Sequence, residues 1–484
     1  MSFQMAHQGV KHCHFWQLIW AVVLTCLTHL SLADEFANWE SPHVHPIDRT
    51  PDGNTLLAVN TANHSLEVFD INNEELQHRV SIPVGLDPIT VRARTNSEVW
   101  VVNHVSDSIS VVDLSRASVV AVLATEDEPA DVVFAENNGR AFVSCSQDNS
   151  VLVFDADSLA IPPTRIAING EDPRSLSISP DGRTVYAAIF ESGNASTILA
   201  GGRRSAQPGN VVDDPRGPYG GMNPPFNNGR SFTPAINPAL PTPPSVGLIV
   251  QKNDQGRWLD DNNGDWTPFV SGQFADASWR VRGWDLPDRD VAIIDTQSLN
   301  VRYVHGVMNA LMSSAVNPET GELTIIGTDA TNVVRYEPNL NGHFVEVKLA
   351  SIDSRGGVEV TDLNPHLRDG VITVPMAQRL TSIGDPRGLV WNQSGNLGYV
   401  VGMGSNNVLL VNAEGQRVNG VQPLTVGQGP TGIVLNENLN NAYVLNRFDG
   451  SISIIDTENF TELSQVRFFD PTPDVIKQGR PFPV

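Results

Sequence analysis

Oxygen-bearing side chains alternate along the stretch DDNNGDW, which covers Asp260 to Trp266. Asp261, Asn263 and Asp265 occupy every second position, and calcium is a hard cation that prefers carboxylate and amide oxygens. The stretch lacks the glycine position and the final glutamate of an EF-hand loop, so an ordinary Asx-rich turn is the alternative. We therefore treat Asp261, Asn263 and Asp265 as candidate calcium ligands.

Two histidines, His43 and His45, stand in the stretch HVH. Alternate residues of a strand share a face, so both imidazoles could bind one metal ion, with His64 or His104 as a further ligand. Packed or surface histidines are the alternative. Cys145 is the single cysteine beyond the N-terminal segment, and it has no assignable histidine partner. We expect it to be a small buried residue rather than a nucleophile.

Recognised catalytic motifs are missing from the sequence, and its charge excludes some partners. It contains no Gly-x-Ser-x-Gly, no His-Glu-x-x-His and no phosphate-binding glycine loop. Its 54 acidic and 31 basic residues give a net charge of −23 without any basic stripe. This balance argues against binding to nucleic acid or to an anionic membrane surface.

Asparagines and acids recur at a fixed distance along the chain. Three asparagines, Asn60, Asn103 and Asn446, each precede a closing acid by the same interval. The recurrent acids are Asp70, Asp113, Asp155, Asp295 and Asp456. Such regularity indicates scaffold roles, in which the acids cap turns through backbone N–H groups. For the asparagines, a hydrogen bond beside a turn is expected, and lining a central channel is the alternative.

These spacings belong to an internal repeat that opens on a proline. The opening prolines are Pro46, Pro88, Pro129, Pro173, Pro386 and Pro430. Each unit contains four short apolar runs, such as ITVRA, EVWVVN, SISVVDL and VVAVLAT in the second unit. Turn residues separate the runs, which alternate with period two, so they predict antiparallel strands.

Seven units can be counted. The fourth stops after two strands and resumes at Leu286–Thr296, and a degenerate fifth covers Met308–Pro338. Four strands in about 40 to 45 residues is the period of a propeller blade. We therefore predict an all-β, seven-bladed β-propeller of four-stranded antiparallel blades over residues 34–470, with a solenoid as the alternative.

Two insertions interrupt the repeat, at about residues 200–285 and 340–384. The larger is rich in proline, glycine and asparagine and holds Trp258, Trp266, Trp279 and Trp284, which suggest that its second half is packed. Long loops of a propeller emerge on its rim. We expect a protein or small ligand to bind there.

The N-terminal segment predicts export. An apolar run covers Phe15–Ala33, with Lys11 before it and the small residues Ser31 and Ala33 at the end. This pattern is typical of a secretory signal peptide over residues 1–33, and an uncleaved anchor is the alternative. We expect a periplasmic or extracellular protein without a membrane span after signal removal, and without an internal disulfide.

The strand pairs VWVVNHVSDSISVVD and AYVLNRFDGSISIID resemble the YVTN-type β-propeller repeat family. A narrower resemblance rests on NVVDDPRGPYGG, LPDRDVAIID, GTDATNVVRYEPNLNGHF and RFFDPTPDVIKQGRPF. These stretches are similar to exported bacterial proteins in which a propeller precedes a di-haem cytochrome c peroxidase-like domain. Residues 471–484 resemble the linker to that domain. No Cys-x-x-Cys-His follows, so we expect no covalently attached c-type haem in this chain.

The resemblance implies an exported binding or interaction scaffold, accessory to a c-type cytochrome. A truncated fusion and a free-standing propeller both fit the sequence. Without a catalytic motif, the sequence favours a non-enzymatic role. The alternative is a propeller enzyme, lactonase-like or similar to quinone-dependent amine dehydrogenases. A lactonase requires acids, histidine or arginine that converge in the axial channel.

Overall fold

The computed structural model describes residues 40–72, 75–135, 139–200, 210–221, 247–260, 262–286, 288–330, 345–367 and 374–480. The predicted signal segment 1–33 lies outside the described residues. The chain divides into two compact units: Ser41–Asp470, and a unit made of Met1–Glu40 with Pro471–Val484. In the described part of the chain, no helix is long and apolar enough to cross a membrane.

Seven four-stranded antiparallel sheets account for most of the described chain, and each corresponds to one repeat unit. The strands of blades one to three are β1 (Ile47–Arg49), β2 (Thr55–Asn60), β3 (Ser65–Asn72), β4 (Glu75–Pro83), β5 (Pro88–Ala93), β6 (Glu98–Asn103), β7 (Ser108–Asp113), β8 (Ser118–Ala124), β9 (Pro129–Ala135), β10 (Arg140–Cys145), β11 (Ser150–Asp155) and β12 (Thr164–Ala167). Blade four and the sheet inserted into it contain β13 (Glu171–Ile178), β14 (Thr184–Glu191), the inserted β15 (Ser196–Leu199), β16 (Leu248–Lys252) and β17 (Trp258–Leu259), then β18 (Val291–Asp295) and β19 (Val301–Val304).

Blades five to seven follow the same order. Their strands are β20 (Ala310–Val316), β21 (Leu323–Ala330), β22 (Val345–Ile352), β23 (Val358–Asp362), β24 (Pro386–Trp391), β25 (Leu397–Gly402), β26 (Asn407–Asn412), β27 (Leu424–Thr425), β28 (Pro430–Asn436), β29 (Asn441–Asn446), β30 (Ser451–Asp456) and β31 (Thr461–Arg467). The described helices are α1 (Thr267–Val270), α2 (Met376–Arg379), α3 (Asp474–Gly479) and the 3₁₀ turns Thr61–Asn63, Ala275–Ser278 and Glu437–Leu439. The predicted tail 471–484 therefore contains one short helix, α3, among its described residues.

The first strand of each blade lies innermost. These seven strands contact one another in the order β1, β5, β9, β13, β20, β24 and β28, and β28 contacts β1 again. The described residues thus form a closed ring, as predicted for a propeller rather than a solenoid. Blade seven supplies its own four strands, β28 to β31, so the ring closes without an exchanged strand.

Alternation within the second strand of each blade explains the apolar repeat. In β6, Val99 and Val101 pack in a cluster shared with blade one, whereas Trp100 and Val102 pack in a cluster shared with blade three. Both faces of a blade are buried, so the strand needs an unbroken apolar run. A blade on its own would leave both faces exposed to water, and stacking into a ring buries them.

Tyr443 occupies the repeat position of Trp100 and serves the closing contact. It packs with Leu445, Ile452 and residues of blade one, including Phe69. That cluster has ten fully buried members, as many as the clusters between blades five and six and between blades six and seven. The closure therefore relies on apolar packing of the same extent as its neighbours.

The large insertion carries a small core of its own. The fourth blade breaks after β14 and resumes at β18, as the sequence predicts. Trp258, Trp266 and Phe269 are fully buried in a separate cluster, and Trp284 packs against it. Trp279 does not join them, because it is 72% exposed.

The second interruption is narrower than the predicted 340–384. Residues Val345–Ile352 and Val358–Asp362 form β22 and β23, which complete blade five. These two strands have a weak apolar pattern in the sequence, because charged residues alternate with apolar ones in VEVKLASI and VEVTD. The segment that departs from the blade plan is the connection from Leu363 to the start of β24.

Candidate functional site

One buried carboxylate, that of Asp131, contacts four consecutive blades. Its Oδ2 accepts hydrogen bonds from His45 Nδ1 and from the backbone N–H of Leu176, each at 2.7 Å. Its Oδ1 accepts the Val132 N–H at 2.8 Å, and Arg92 Nε lies 3.7 Å from it. Blade two separates the blade of His45 from the blade of Asp131. Their contact therefore forms at the central axis.

Asp131 holds His45 in a single tautomer. A carboxylate only accepts, so Nδ1 of His45 carries the hydrogen and Nε2 keeps its lone pair. Nε2 has no partner among the described residues, and 17% of the side chain is exposed. Burial lowers the pKa of His45 and Arg92 lowers it further, while Asp131 partly opposes them. The imidazole is therefore neutral at neutral pH, which is the form a general base needs.

Arg92 stands between two carboxylates without being fixed by either. Its buried Nε makes no hydrogen bond, although Asp131 lies within ion-pair distance. On its other side, Asp48 accepts the N–H groups of Ala93 and Arg49 at 2.9 and 2.8 Å. Burial raises the pKa of Asp48, and Arg92 partly offsets this. The Arg92 guanidinium is thus a cation close to Asp131, and its charge lowers the pKa of His45.

A cavity of about 440 Å³ is lined by residues at the ends of β1, β20, β24 and β28. Asp48 and Trp391 are among these residues. Of the four residues of the axial group, His45, Asp48, Arg92 and Asp131, only Asp48 lines this cavity, whose size suits a small ligand.

His43 takes the opposite tautomer and has no free nitrogen. Thr61 uses its hydroxyl hydrogen on the Pro88 carbonyl at 2.7 Å, so it accepts from His43 Nε2 at 2.6 Å. His43 Nδ1 then accepts from the Thr431 hydroxyl at 2.8 Å. Burial lowers the pKa of His43 well below the ordinary value, and nearby arginines add to the effect. This side chain joins blades one and seven.

Among the described residues, the histidines near HVH do not come together as a metal site. Both nitrogens of His43 are used on threonines, and His45 is used on a carboxylate. His64 accepts the Asp87 N–H, and His104 Nδ1 faces the Pro129 carbonyl. No group of three or more metal-binding side chains is found within the described ranges.

The residue before each opening proline takes a left-handed backbone in five blades. These residues are Asp87, Glu128, Asp172, Asp385 and Gly429, with φ between 47° and 65°. The carbonyls of Asp87, Glu128, Asp385 and Gly429 accept N–H groups from the turn between the second and third strands, as in His104 N to Asp87 O at 3.0 Å. The blade openings and these turns therefore share one face of the ring, which we call the mouth face.

Both insertions leave from the mouth face. β14 ends at Glu191, which pairs with Glu171 at the start of β13, so residues 192–290 depart from that edge. The connection after β23 leads directly to the opening of blade six at Asp385. Both insertions therefore begin on the same face as the blade openings.

Acids and arginines pair at the mouth. Asp172 bonds Arg174 at 2.6 Å, and Asp385 bonds Arg387 at 2.7 Å. Arg174 also stacks over the Phe190 ring at 4.2 Å. Because these partners neutralise each other, the arginines of the mouth contribute little free positive charge.

Asp87 differs from the other opening acids because it is buried. Only 1% of its surface is exposed, and neither carboxylate oxygen has a hydrogen-bond partner of normal geometry. Burial raises the pKa of Asp87, and Ser41 and Arg447 partly lower it. This carboxyl is a second unusual acid near the mouth, separate from Asp131.

The repeated asparagines bond within or beside their own blades. Asn103 Nδ2 donates to the hydroxyls of Ser108 and Ser110 at 3.2 and 3.0 Å, and Asn446 makes the equivalent bonds to two serines of β30. Asn60 donates instead to Glu67 and to the Phe469 carbonyl. These contacts are of the kind that a scaffold role requires.

The closing acids accept backbone N–H groups two and three residues later. This holds for Asp113, Asp155, Asp295 and Asp456, with distances between 2.7 and 3.2 Å. Asp70 differs, since it pairs with Arg79 at 3.0 Å. Turn capping accounts for the recurrence of the first four.

The calcium candidates lie in a turn organised by their neighbour. Asp260 accepts two backbone N–H groups of the turn and the indole N–H of Trp266 at 2.9 Å. Asn263 has a left-handed backbone, Asp265 caps a backbone N–H two residues later, and Asp261 lies outside the described residues. Calcium binding here stays a prediction.

Cys145 is fully buried in the cluster between blades two and three. Burial raises the pKa of its thiol to about 12. A thiol in this state is not a nucleophile at neutral pH.

Sequence reasoning missed Asp131, Arg92 and Asp48 as members of a site. The available signal was a charged residue inside an otherwise apolar first strand, as in PADVVFA and PITVRA. The repeat shows which residues recur from blade to blade, whereas Asp131, Arg92 and Asp48 each occur in a single blade.

Comparison with known proteins supports the fold. Residues 35–221 match the family model described as "Lactonase, 7-bladed beta-propeller". The match covers fewer than half of the 484 residues, and it includes the four axial residues. A search of curated protein sequences finds no match.

Solved structures of similar shape are propellers of low sequence identity. Hydrazine synthase of Kuenenia stuttgartiensis is 17% identical, with 88% of this chain and 99% of that chain covered and a TM-score of 0.58. A protein of unknown function from Desulfotomaculum acetoxidans is 10% identical (86% and 95% covered, TM-score 0.46). A putative 6-phosphogluconolactonase from Bacteroides uniformis is 14% identical (79% and 85% covered, TM-score 0.42). At such identities the likeness concerns the fold alone.

Proposed function

We propose that this protein hydrolyses a cyclic ester, with His45 as general base at the propeller axis. The observation that carries the proposal is the 2.7 Å bond between His45 Nδ1 and Asp131, which leaves Nε2 without a partner among the described residues, while Arg92 lies 3.7 Å from the same carboxylate. The partial match to a lactonase model supports it, because all four axial residues fall within the matched range.

The proposed reaction uses these side chains in two steps. His45 Nε2 takes a proton from water while the water oxygen attacks the carbonyl carbon of the lactone. Asp131 stabilises the imidazolium that forms, and an N–H of Arg92 donates to the carbonyl oxygen as it becomes negative. The ring C–O bond then breaks, and the departing oxygen takes the proton from His45. One water is consumed and one hydroxy acid is released.

The first experiment is a proton-release assay of the purified protein with unsubstituted and hydroxylated δ-lactones at neutral pH. We expect turnover by the wild type and strong loss in His45→Gln. The matched control is His78→Gln, since His78 lies on the outer strand of blade one, where it bonds Glu67. Absence of turnover with every lactone, or equal rates in both variants, would reject the proposal.

The second candidate is the scaffold role that the sequence favours. Its support is an apolar surface on the large insertion. Arg280, which stands between Trp279 and Val281, donates to Thr197 at 2.8 Å, and Thr197 precedes Ile198. These three side chains are 72%, 71% and 65% exposed, more than is usual for such apolar groups.

The partner that the sequence resemblance implies is a c-type cytochrome, and the expected compartment is periplasmic or extracellular. A pull-down from a periplasmic extract tests both expectations. Recovery of haem absorbance with the wild type and its loss with Trp279→Ser would favour the scaffold role. Recovery of no cytochrome would count against it. N-terminal sequencing of the secreted chain is expected to begin at Asp34.

A further inference from the structure

A second ligand-sized cavity lies away from the axis, between the outer strands of blades five and six. Its volume is about 570 Å³, which is within the range of small-molecule sites. β23 contributes Thr361 and Asp362, and the connection to blade six contributes His366 and Thr381. Arg417 lines the cavity from the stretch before β27. The axial residues take no part in this cavity.

Arg417 is fixed by neutral acceptors. Its Nη1 donates to the Leu363 carbonyl at 3.2 Å, and its Nη2 donates to the Thr381 carbonyl at 2.7 Å. Nη1 also lies 3.4 Å from Nδ1 of His366, whose Nε2 lies 3.1 Å from the Gln378 carbonyl. A carbonyl only accepts, so His366 carries its hydrogen on Nε2 and presents a lone pair to Arg417.

The Arg417 guanidinium therefore has two N–H donors that these contacts do not use. Five N–H groups are available on an arginine, and the contacts above use three of them. Nε–H and the second Nη2–H have no partner among the described residues. Nε and Nη2 form one edge of the guanidinium plane, and such an edge matches the two oxygens of a carboxylate.

The cation also lacks a counter-ion. Arg174 and Arg387 each bond an acid within 2.7 Å, whereas no described carboxylate reaches ion-pair distance of Arg417. Burial lowers the pKa of Arg417, and Asp362 raises it only in part. Water has been removed from the charge without full compensation, and a bound anion would supply it.

Asp362 limits which groups the ligand can carry besides a carboxylate. Its Oδ1 accepts the Asn364 N–H at 2.7 Å, and its Oδ2 has no partner in the described chain. A second negative charge in the ligand is disfavoured beside this carboxylate, whereas a hydroxyl group can donate to Oδ2. From these contacts we infer that the cavity binds a singly charged hydroxy carboxylate, whose carboxylate pairs with Arg417 and whose hydroxyl donates to Asp362. This inference does not rest on the axial chemistry.

The test is isothermal titration of the full-length protein with D-gluconate, D-glucose, acetate and inorganic phosphate. Gluconate is expected to bind most tightly. Arg417→Gln should weaken gluconate binding by at least about tenfold, since a charge-assisted pair is lost. Arg355→Gln is the matched control, because Arg355 is exposed on the turn between β22 and β23. It should bind gluconate as the wild type does.

Two further variants keep the test decisive. Arg417 also holds two carbonyls of the connection, so its replacement can disturb the fold. Asp362→Asn retains the cap on Asn364 and should reduce the preference for gluconate over acetate. His45→Gln should leave gluconate binding unchanged. The inference is overturned if gluconate does not bind, if Asp362→Asn keeps the full preference, or if binding disappears in His45→Gln and persists in Arg417→Gln.

Discussion

Blades one to three and blades five to seven share one backbone plan but present different side chains to the axis. The first group brings His45, Arg92 and Asp131 into contact. The first strands of the second group carry small buried residues instead, such as Ser313, Ser314 and Gly432. The repeat therefore determines the backbone of the blades. The reactive side chains come from a few inner positions at which a single blade departs from the repeat. We expect blades one to three to supply the reactive side chains of the channel and blades five to seven to leave space.

Replacement of His45 is expected to have the largest effect on kcat. His45→Gln removes the proposed base and should lower kcat by about 10² to 10⁴. Ser313→Ala makes the matched change in the first strand of blade five, where the Ser313 hydroxyl is buried without a hydrogen-bond partner in the described chain, and should change kcat by less than about threefold. Initial rates of lactone hydrolysis measure both. Equal losses in the two variants would remove the distinction between the two groups of blades.

Arg92 gives the next largest effect. Arg92→Gln removes the cation beside His45 and should lower kcat by about 10² to 10³, as expected for a donor to an oxyanion. Arg165→Gln removes a surface ion pair with Glu126 in blade three and serves as the control. If Arg92→Gln raises KM alone, Arg92 binds the ground state and the proposed oxyanion role is wrong.

The seam between the two groups can be tested through Gly432. A Cβ at this position would lie 2.7 Å from Pro46 Cγ and 2.9 Å from Cδ, so blades one and seven approach closely there. Gly432→Ala should destabilise the fold by about 1 to 3 kcal/mol through overpacking. Gly384→Ala is the control, because its nearest neighbour is 3.8 Å away. Thermal unfolding with an unchanged melting temperature in Gly432→Ala would show that the seam can relax.

The smallest effect concerns pH. A general base works when neutral, and burial and Arg92 lower the pKa of His45. The rate should therefore rise with pH through an apparent pKa below about 6.5 and stay level above it. Arg92→Gln removes one lowering influence, so the residual activity should show this limb at higher pH. If the rising part of the pH–rate profile stays at the same pH in Arg92→Gln, Arg92 does not lower the pKa of His45.

The fold was predictable because its signal is repeated. Seven units, the break in the fourth and its resumption near Leu286 follow from periodicity, and the structure confirms the seven-bladed plan. The outer strands of blade five escaped detection because they are charged on one face. They were assigned to an insertion, since a half-exposed strand has a weaker pattern than a buried one.

The axial site was not predictable in the same way. His45 was noticed for its spacing from His43, but the two take opposite tautomers and contact different blades. The contact between His45 and Asp131 depends on ring closure, which brings residues 86 positions apart to the axis. A sequence pattern reports neighbours along the chain, and this site is made by residues of consecutive blades that lie far apart in the sequence.

Chemical rescue tests the central claim most directly. His45→Gly removes the imidazole, and free imidazole can enter the space that it leaves. We predict that His45→Gly hydrolyses the lactone poorly and that added imidazole restores activity, whereas His78→Gly is active without it. If imidazole leaves the rate of His45→Gly unchanged while the variant keeps the wild-type melting temperature, His45 is not the base.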